Sequence, residues 1–429
     1  MKNRIYLYLL IFSVLLASVS IFFLIKKAIE PVGILMVAAF VSLAFGVRKF
    51  PLLKGYSYTL WIFAAVTASM FYPQYFVSVG NFQYKTLIIP LLQIIMFGMG
   101  SQMSFNDFAG VIKMPKGVLA GIFLQFTIMP LVGLTIARIF NFPSEIAAGI
   151  ILIGCVPSGL ASNVMSFLAR ANLALAVSLS AVTTLLSPFV TPFLMKILGG
   201  QFIEVSFWNM MLDILNMIIL PIVAGFIFNL FAKRNTDRKS MVLQLASYVV
   251  IILLTTFVYV KSKNAGSAEF FARFLKSTGW FYLLPIAGAL LLRRYLKGGY
   301  SIMEKVLSFF SMAGIAVIIT IITATGRESL LQVGLMLMIT SLLHNVTGYS
   351  LGYSFAWLLR MPERDRRTIA FEVGMQNGGL ASGLALQMGK IATVGLAPAI
   401  FGPLMNITGS ILANWWRGKP VKEENKNNI

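Results

Sequence analysis

Apolar residues along this chain come in long unbroken runs, separated by short connections that carry nearly all of the charge. A helix needs about 17 to 25 apolar residues to cross a bilayer. On that criterion the pattern predicts fourteen spans: 4–25, 31–47, 57–77, 85–101, 117–140, 144–168, 173–198, 207–231, 242–261, 279–294, 303–325, 329–360, 366–388 and 391–416. Spans 31–47 and 279–294 are short, and 329–360 is long enough to tilt or to run on past the bilayer. The first run follows Lys2 and Arg4 and continues to Ile25, longer than the apolar core of a signal peptide, so a retained helix is expected.

Basic residues test this arrangement. With fourteen spans, 24 of the 35 lysines and arginines fall on the side of the two termini and 11 on the other, which predicts that both termini are cytoplasmic and the chain multi-pass in the cell membrane. The connection 262–278 departs from the trend, with Arg273 and Lys276 near Lys261 and Lys263, and is expected to be re-entrant or interfacial.

Composition narrows the class. Of 429 residues, 58% are hydrophobic and 11% charged, and the mean hydropathy is +0.84. No water-soluble fold of this size uses so few charges. The net charge of +21 would point to nucleic acid in a soluble protein; here orientation in a bilayer accounts for it, and no nucleic-acid partner is expected. The single cysteine, Cys155, allows no internal disulfide, and the single histidine, His344, excludes a histidine-cluster metal site or a histidine-based triad. The Asn-x-Thr matches at Asn345 and Asn406 lie inside apolar runs and are not glycosylation sites.

Two spans are interrupted, and these carry the candidate chemistry. Phe371–Gly383 holds Glu372, Gln376, Asn377 and four glycines within a membrane-length run. A charge in hydrocarbon costs several kcal/mol and marks function, and unwound backbone survives at membrane depth only where it is buried in protein or lines a cavity. An acid, amide oxygens and freed carbonyls together make a site for a small hard cation. In the other interrupted span, Pro157 removes a backbone donor and Gly159 eases unwinding. Gly159-Leu160-Ala161-Ser162 recurs as Gly379-Leu380-Ala381-Ser382, so the two breaks form a pair, and paired broken helices point to a transporter's substrate and ion site near the bilayer midplane.

The remaining polar positions have plainer readings. Asp213 lies near the interface, where headgroups or a polar neighbour suit it. Ser178, Ser180 and Thr183-Thr184 are expected to bond carbonyls one turn back. Gln125 fits an interhelical hydrogen bond as well as a ligand role, His344 a packed polar residue, and Asn406 a helix contact beside Gly409-Ser410.

Met96-Phe97-Gly98-Met99-Gly100, Gly159-Leu160-Ala161-Ser162-Asn163-Val164-Met165, Leu186-Ser187-Pro188-Phe189-Val190-Thr191-Pro192 and Glu372-Val373-Gly374-Met375-Gln376-Asn377 resemble the bile acid:sodium symporter family, over about residues 55 to 417. The resemblance implies an all-α polytopic membrane protein with a ten-helix core. That core would be two inverted five-helix repeats, split into panel and core domains, with discontinuous crossed helices holding two sodium ions behind an organic-anion site. It further implies a first sodium site of Ser162, Asn163, Ser180 and Glu372, and a second of Gln125, Glu372, Gln376 and the carbonyls of Val373 and Met375. Asn406 would face substrate, grouped with Asn377, Leu160 and Met405. Three departures stand out: Ala176 occupies a position where the family often has a hydroxyl, and Leu160 and Met405 replace commonly polar residues.

The expected organisation is an extra N-terminal pair of spans in 1–50, a first repeat in 55–235, an inserted pair in 240–298, the rest of the second repeat in 300–417 and a polar cytoplasmic tail, 418–429. The function expected is sodium-coupled symport of a small or amphipathic carboxylate or sulfonate. The alternatives are a proton-coupled or uncoupled carrier of the same fold, and a membrane sensor or channel. No nucleophile–base or metal constellation marks an enzyme.

Overall fold

The computed structural model describes residues 2–50, 53–103, 112–232, 287–288, 290–291, 299–419 and 421. The expected span 242–261 lies outside them, as does 279–294 apart from 287–288 and 290–291. Helix dominates because a chain in lipid must satisfy its own backbone hydrogen bonds. In order the helices are α1 (Lys2–Ile25), α2 (Ile29–Gly46), α3 (Ser57–Phe71), α4 (Ile88–Gln102), α5 (Pro115–Ile139), α6 (Ser144–Cys155), α7 (Leu160–Leu168), α8 (Leu173–Leu194), α9 (Phe207–Ile214), α10 (Leu220–Ala232), α11 (Gly299–Thr325), α12 (Arg327–Leu358), α13 (Glu363–Gly374), α14 (Gly378–Gln387) and α15 (Leu396–Arg417). A π-helical turn, Leu215–Ile219, joins α9 to α10 in one continuous element, and another, Met195–Gly199, extends α8. Ser78–Val79 and Phe82–Gln83 pair as a short hairpin after α3.

Among the described residues, nine helical stretches are long and apolar enough to cross a membrane, and α3 and α6 are shorter apolar helices. The protein is therefore an all-α polytopic membrane protein. The predicted spans 144–168 and 366–388 are each two half-helices, α6 with α7 and α13 with α14.

α1 packs on α2 and α2 on α3, which leaves the N-terminal pair at the margin of the fold. α3, α4, α10 and α11 form one packed group, and α5 to α8 with α12 to α15 form another. Within the first group α4 and α10 touch backbone to backbone: a Cβ on Gly100 would lie 1.9 Å from Ile222 O, and one on Gly225 2.1 Å from Phe97 O. Lipid supplies no hydrophobic force between helices, so close approach through small residues is what holds such a pair.

The two broken helices are built and tied alike. α5 ends at Asn141 (φ 49) and α12 at Arg360 (φ 54), left-handed residues that stop each helix. Pro143 and Pro362 then turn the chain into α6 and α13. At one side of the bundle, Lys390 Nζ and Thr393 Oγ1, just after α14, donate to Glu145 at the start of α6. At the other, Asn172 after α7 donates to Arg364 O (3.3 Å) and to Asp365 Oδ1 (2.8 Å) at the start of α13. Nearby, buried Arg367 bonds Glu363 Oε1 at 2.8 Å and the carbonyls of Ala169 and Trp416 at 3.0 and 3.1 Å. Each broken helix thus starts against the far end of the other.

Candidate functional site

The breaks meet. Val156–Gly159 and Met375–Asn377 run antiparallel as extended segments, with Ser158 opposite Gln376. Gly159 N donates to Met375 O and Asn377 N to Pro157 O, both at 2.9 Å, so each break satisfies backbone groups the other has exposed. Beyond the crossing, Asn377 caps α14 by accepting from Leu380 N at 3.0 Å.

Glu372 lies one turn before its break and is 2% exposed. Its Oε1 accepts from Ser162 Oγ at 2.5 Å, and its Oε2 from Ser158 Oγ at 2.6 Å and Ser180 Oγ at 2.9 Å. Among the described residues no lysine or arginine pairs with it. Asn163 joins the group through Oδ1, 3.5 Å from Ser180 Oγ. The structure therefore brings Ser162, Asn163, Ser180 and Glu372 together, each from the element expected. It adds Ser158, whose hydroxyl the sequence reading left inside the break without a role. The lone hint was its place between Pro157 and Gly159, inside the break.

A second polar group lies beside the first. Gln125 on α5 donates from Nε2 to Gln376 Oε1 at 2.7 Å and to Val156 O at 3.0 Å, and Gln376 donates to Val373 O at 2.6 Å. Gln125 Oε1 is buried with no protein donor. An orphaned amide oxygen at membrane depth is expensive for folding, and a cation suits it where a donor is missing. Gln125, Gln376 and Val373 converge as expected. Met375 O is engaged by Gly159 N, and both carboxylate oxygens of Glu372 face the serines.

A partly open cavity of about 110 Å³ borders the crossing. Leu92, Ile95 and Met96 of α4 and Ile315, Ile318 and Ile319 of α11 give it one apolar wall. Leu160, Asn377, Met405 and Asn406 all lie on the opposite wall, and among the described residues no charged side chain lines it.

Other polar positions resolve plainly. Ser178, Thr183 and Thr184 donate to carbonyls one turn back, at 2.8, 2.8 and 2.6 Å, whereas Ser180, for which the same was expected, turns to Glu372 because a buried carboxylate is the stronger acceptor. His344 packs edge-on to Phe401, its Nε2 2.9 Å from Met129 O. Asp213 is half-buried. Asn345 and Tyr349, buried on α12, and half-buried Thr408 on α15 form a polar cluster behind the crossing, of which the sequence reading named only Asn345, as a rejected glycosylation match.

Among known proteins, the sodium bile acid symporter family model matches residues 89–268. A Bacillus subtilis (strain 168) protein named as the uncharacterized sodium-dependent transporter YocS is 31% identical over 379 residues, 88% of this chain and 96% of that protein. The probable sodium/metabolite cotransporter BASS1 of Arabidopsis thaliana, named as chloroplastic, is 26% identical over 367 residues, 86% of this chain and 75% of its own. Its namesake in Oryza sativa subsp. japonica is 25% identical over 372 residues, 86% and 74%. With the family's own model matched and one such relative aligned over almost all of its length, this chain belongs to the sodium bile acid symporter family.

Proposed function

We propose that the protein is a secondary active symporter that couples sodium entry to uptake of a small or amphipathic organic anion, a carboxylate or sulfonate, by alternating access. The observation that carries this reading is Glu372: a carboxylate in the membrane interior, surrounded by three hydroxyls and without a basic partner among the described residues. Hydroxyls alone leave a buried negative charge uncompensated, and a sodium ion would neutralise it. One ion is assigned to Glu372, Ser162, Asn163 and Ser180, with Ser158 added. That fifth oxygen offsets the hydroxyl missing at Ala176. A second ion is assigned to Gln125, Gln376 and the carbonyls of Val373 and Met375, where the orphaned Gln125 Oε1 is a ready ligand.

The anion is assigned to the cavity. Its polar end would meet Asn377, Asn406 and the N-termini of α7 and α14, whose positive dipole ends favour a carboxylate or sulfonate without any lysine or arginine. Its apolar part would lie against α4 and α11, with Leu160 and Met405 making the opposite side greasier than a polar substrate would need.

Alternating access is supported by the matched construction of the two broken helices, which we read as the centre of two inverted repeats. The panel would be α3, α4, α9–α10 and α11, and the moving core the rest of the ten helices. With both termini cytoplasmic, α14 is the outer half of its broken helix. It is packed on the panel, since a Cβ on Gly383 would lie 2.7 Å from Leu92 Cδ2 and 3.1 Å from Met217 Sδ. This conformer is accordingly read as closed outside and open inside.

The test is sodium-dependent stabilisation of the purified protein, with potassium holding ionic strength constant. Sodium at a hundred times its midpoint is expected to stabilise by about 2.7 kcal/mol per site, and Glu372→Gln to lose at least the first site's share. If sodium and potassium act alike on the unsubstituted protein, sodium coupling is wrong.

A further inference from the structure

Behind the crossing, away from the cavity, lies a polar cluster to which no ligand assignment above gives a role. Asn345 of α12 is fully buried and donates from Nδ2 to Gly374 O at 2.7 Å. That carbonyl sits between Val373 and Met375, the two residues whose carbonyls are assigned to the second ion. The other end of the same amide, Oδ1, accepts from Thr408 Oγ1 of α15. Tyr349, one turn along α12, donates to Met405 O at 3.2 Å and lies 3.4 Å from Thr408 Oγ1. Met405 and Asn406, a turn or less before Thr408, line the cavity. A continuous polar path therefore runs from the cavity wall on α15, through one amide, to the backbone of the break.

The path also has two settings. Thr408 Oγ1 carries one proton and has four acceptors in reach: Asn345 Oδ1, Leu404 O at 3.0 Å, Met405 O at 3.2 Å and Tyr349 Oη at 3.4 Å. It can hold Asn345 or fold back onto its own helix, as hydroxyls in membrane helices do. When it folds back, Asn345 loses the partner that orients its amide, and its grip on Gly374 O loosens. A change in α15 at the cavity would bias that choice.

We infer that Asn345, Thr408 and Tyr349 are positioning residues that link the cavity helix α15 to the ion-holding backbone at Val373–Met375, so that occupancy of one sets affinity at the other. Linkage of this kind is reciprocal: whatever strengthens sodium binding through the path is itself strengthened by sodium. The inference rests on the sodium reading proposed above.

The probe is sodium itself, titrated against thermal stability at constant ionic strength. Thr408→Val keeps shape and removes the hydroxyl; it is expected to raise the sodium midpoint about tenfold, the order of one hydrogen bond. Thr408→Ser restores the donor and is expected to stay within about twofold of the unsubstituted protein, less than half a hydrogen bond in free energy. A cluster that merely glues helices would lower the melting temperature in both cations and leave the sodium midpoint alone. That result overturns the inference, as does a serine variant shifted as far as valine. If Thr408→Val does not fold, Tyr349→Phe gives the same readout, because the ring stays against Gly374 and only the hydroxyl is lost; an unchanged midpoint overturns it equally. The link to the cavity is read by a double-mutant cycle. Asn406→Ala is expected to shift the midpoint in the unsubstituted protein and less in the Thr408→Val background, whereas equal shifts, or none in either, refute the path. Failure of the unsubstituted protein to respond to sodium over potassium is a separate outcome and removes the sodium reading itself.

Discussion

Gly159 sits directly against the opposing break, and replacing it measures how closely the two breaks must fit. Its backbone is extended (φ −92°, ψ 155°), so alanine is allowed there and conformational strain does not enter. The obstacle is steric. An added Cβ would lie 2.7 Å from Gln376 O and 3.2 Å from Gln376 C, about 0.7 Å inside the 3.4 Å at which ordinary contact begins. The neighbour is backbone, held by Gly378 N at 3.0 Å, and cannot swing aside as a side chain could. The break at 375–377 must therefore move, which stretches the Gly159 N to Met375 O bond. Overpacking of this kind costs about 1–3 kcal/mol, and a weakened hydrogen bond about 1 kcal/mol more. Together these predict a loss of about 2–4 kcal/mol for Gly159→Ala, and at least a tenfold rise in the sodium midpoint, because the displaced segment carries Met375 and Gln376. Gly402→Ala is the matched control: it lies on the same cavity wall, in the interior of α15, with nothing within 4 Å of its built Cβ. It is expected to be neutral or to gain about 0.4–1 kcal/mol. The assay is denaturant and thermal unfolding in sodium and in potassium for both variants. A Gly159→Ala protein that unfolds like the parent and takes sodium at the same midpoint would refute the reasoning.

Further substitutions test the surrounding geometry. Gly374→Ala would place its Cβ 2.2 Å from Tyr349 Cδ1, and should lose about 1–3 kcal/mol; much of that should return in the Gly374→Ala/Tyr349→Ala double variant, and purely additive losses would show that the clash is not with the ring. Ser158→Ala removes a 2.6 Å donor from Glu372 and is expected to destabilise the protein in potassium by about 1.5–3 kcal/mol, as for hydrogen bonds to charged groups; parent-like unfolding would mean that Glu372 does not depend on this hydroxyl. Arg367→Met leaves the carbonyls of Ala169 and Trp416 without their donor, while Glu363 keeps Arg366 and Tyr353, and a loss of about 1–3 kcal/mol is expected in denaturant unfolding. A loss below about 1 kcal/mol, the value of an exposed pair, would show that this end of the core is wetter than its 2% exposure implies.

The sequence by itself determined the local features. Runs of apolar residues long enough for a bilayer mark where the helices lie, because lipid offers a backbone no other partners. The breaks were equally legible: Pro157 lacks a donor, and a membrane-embedded Glu372 among glycines has no place in an unbroken, lipid-facing helix. Even the family could be read from four short motifs. What the sequence could not decide is which groups those breaks meet. Glu372 takes its hydroxyls from Ser158, Ser162 and Ser180, which lie 214, 210 and 192 residues away. Whether its oxygens face those serines or Gln125 depends on how α13 is rotated against α7 and α8, a matter of packing rather than of local propensity. The same holds for Asn345, which looks like any polar residue in an apolar run until Gly374 and Thr408 are brought to its two ends. Helix and break are written in neighbouring residues because their energetics are local; the partners of a buried charge are chosen by tertiary packing, because only packing brings distant polar groups within reach inside a solvent that supplies none.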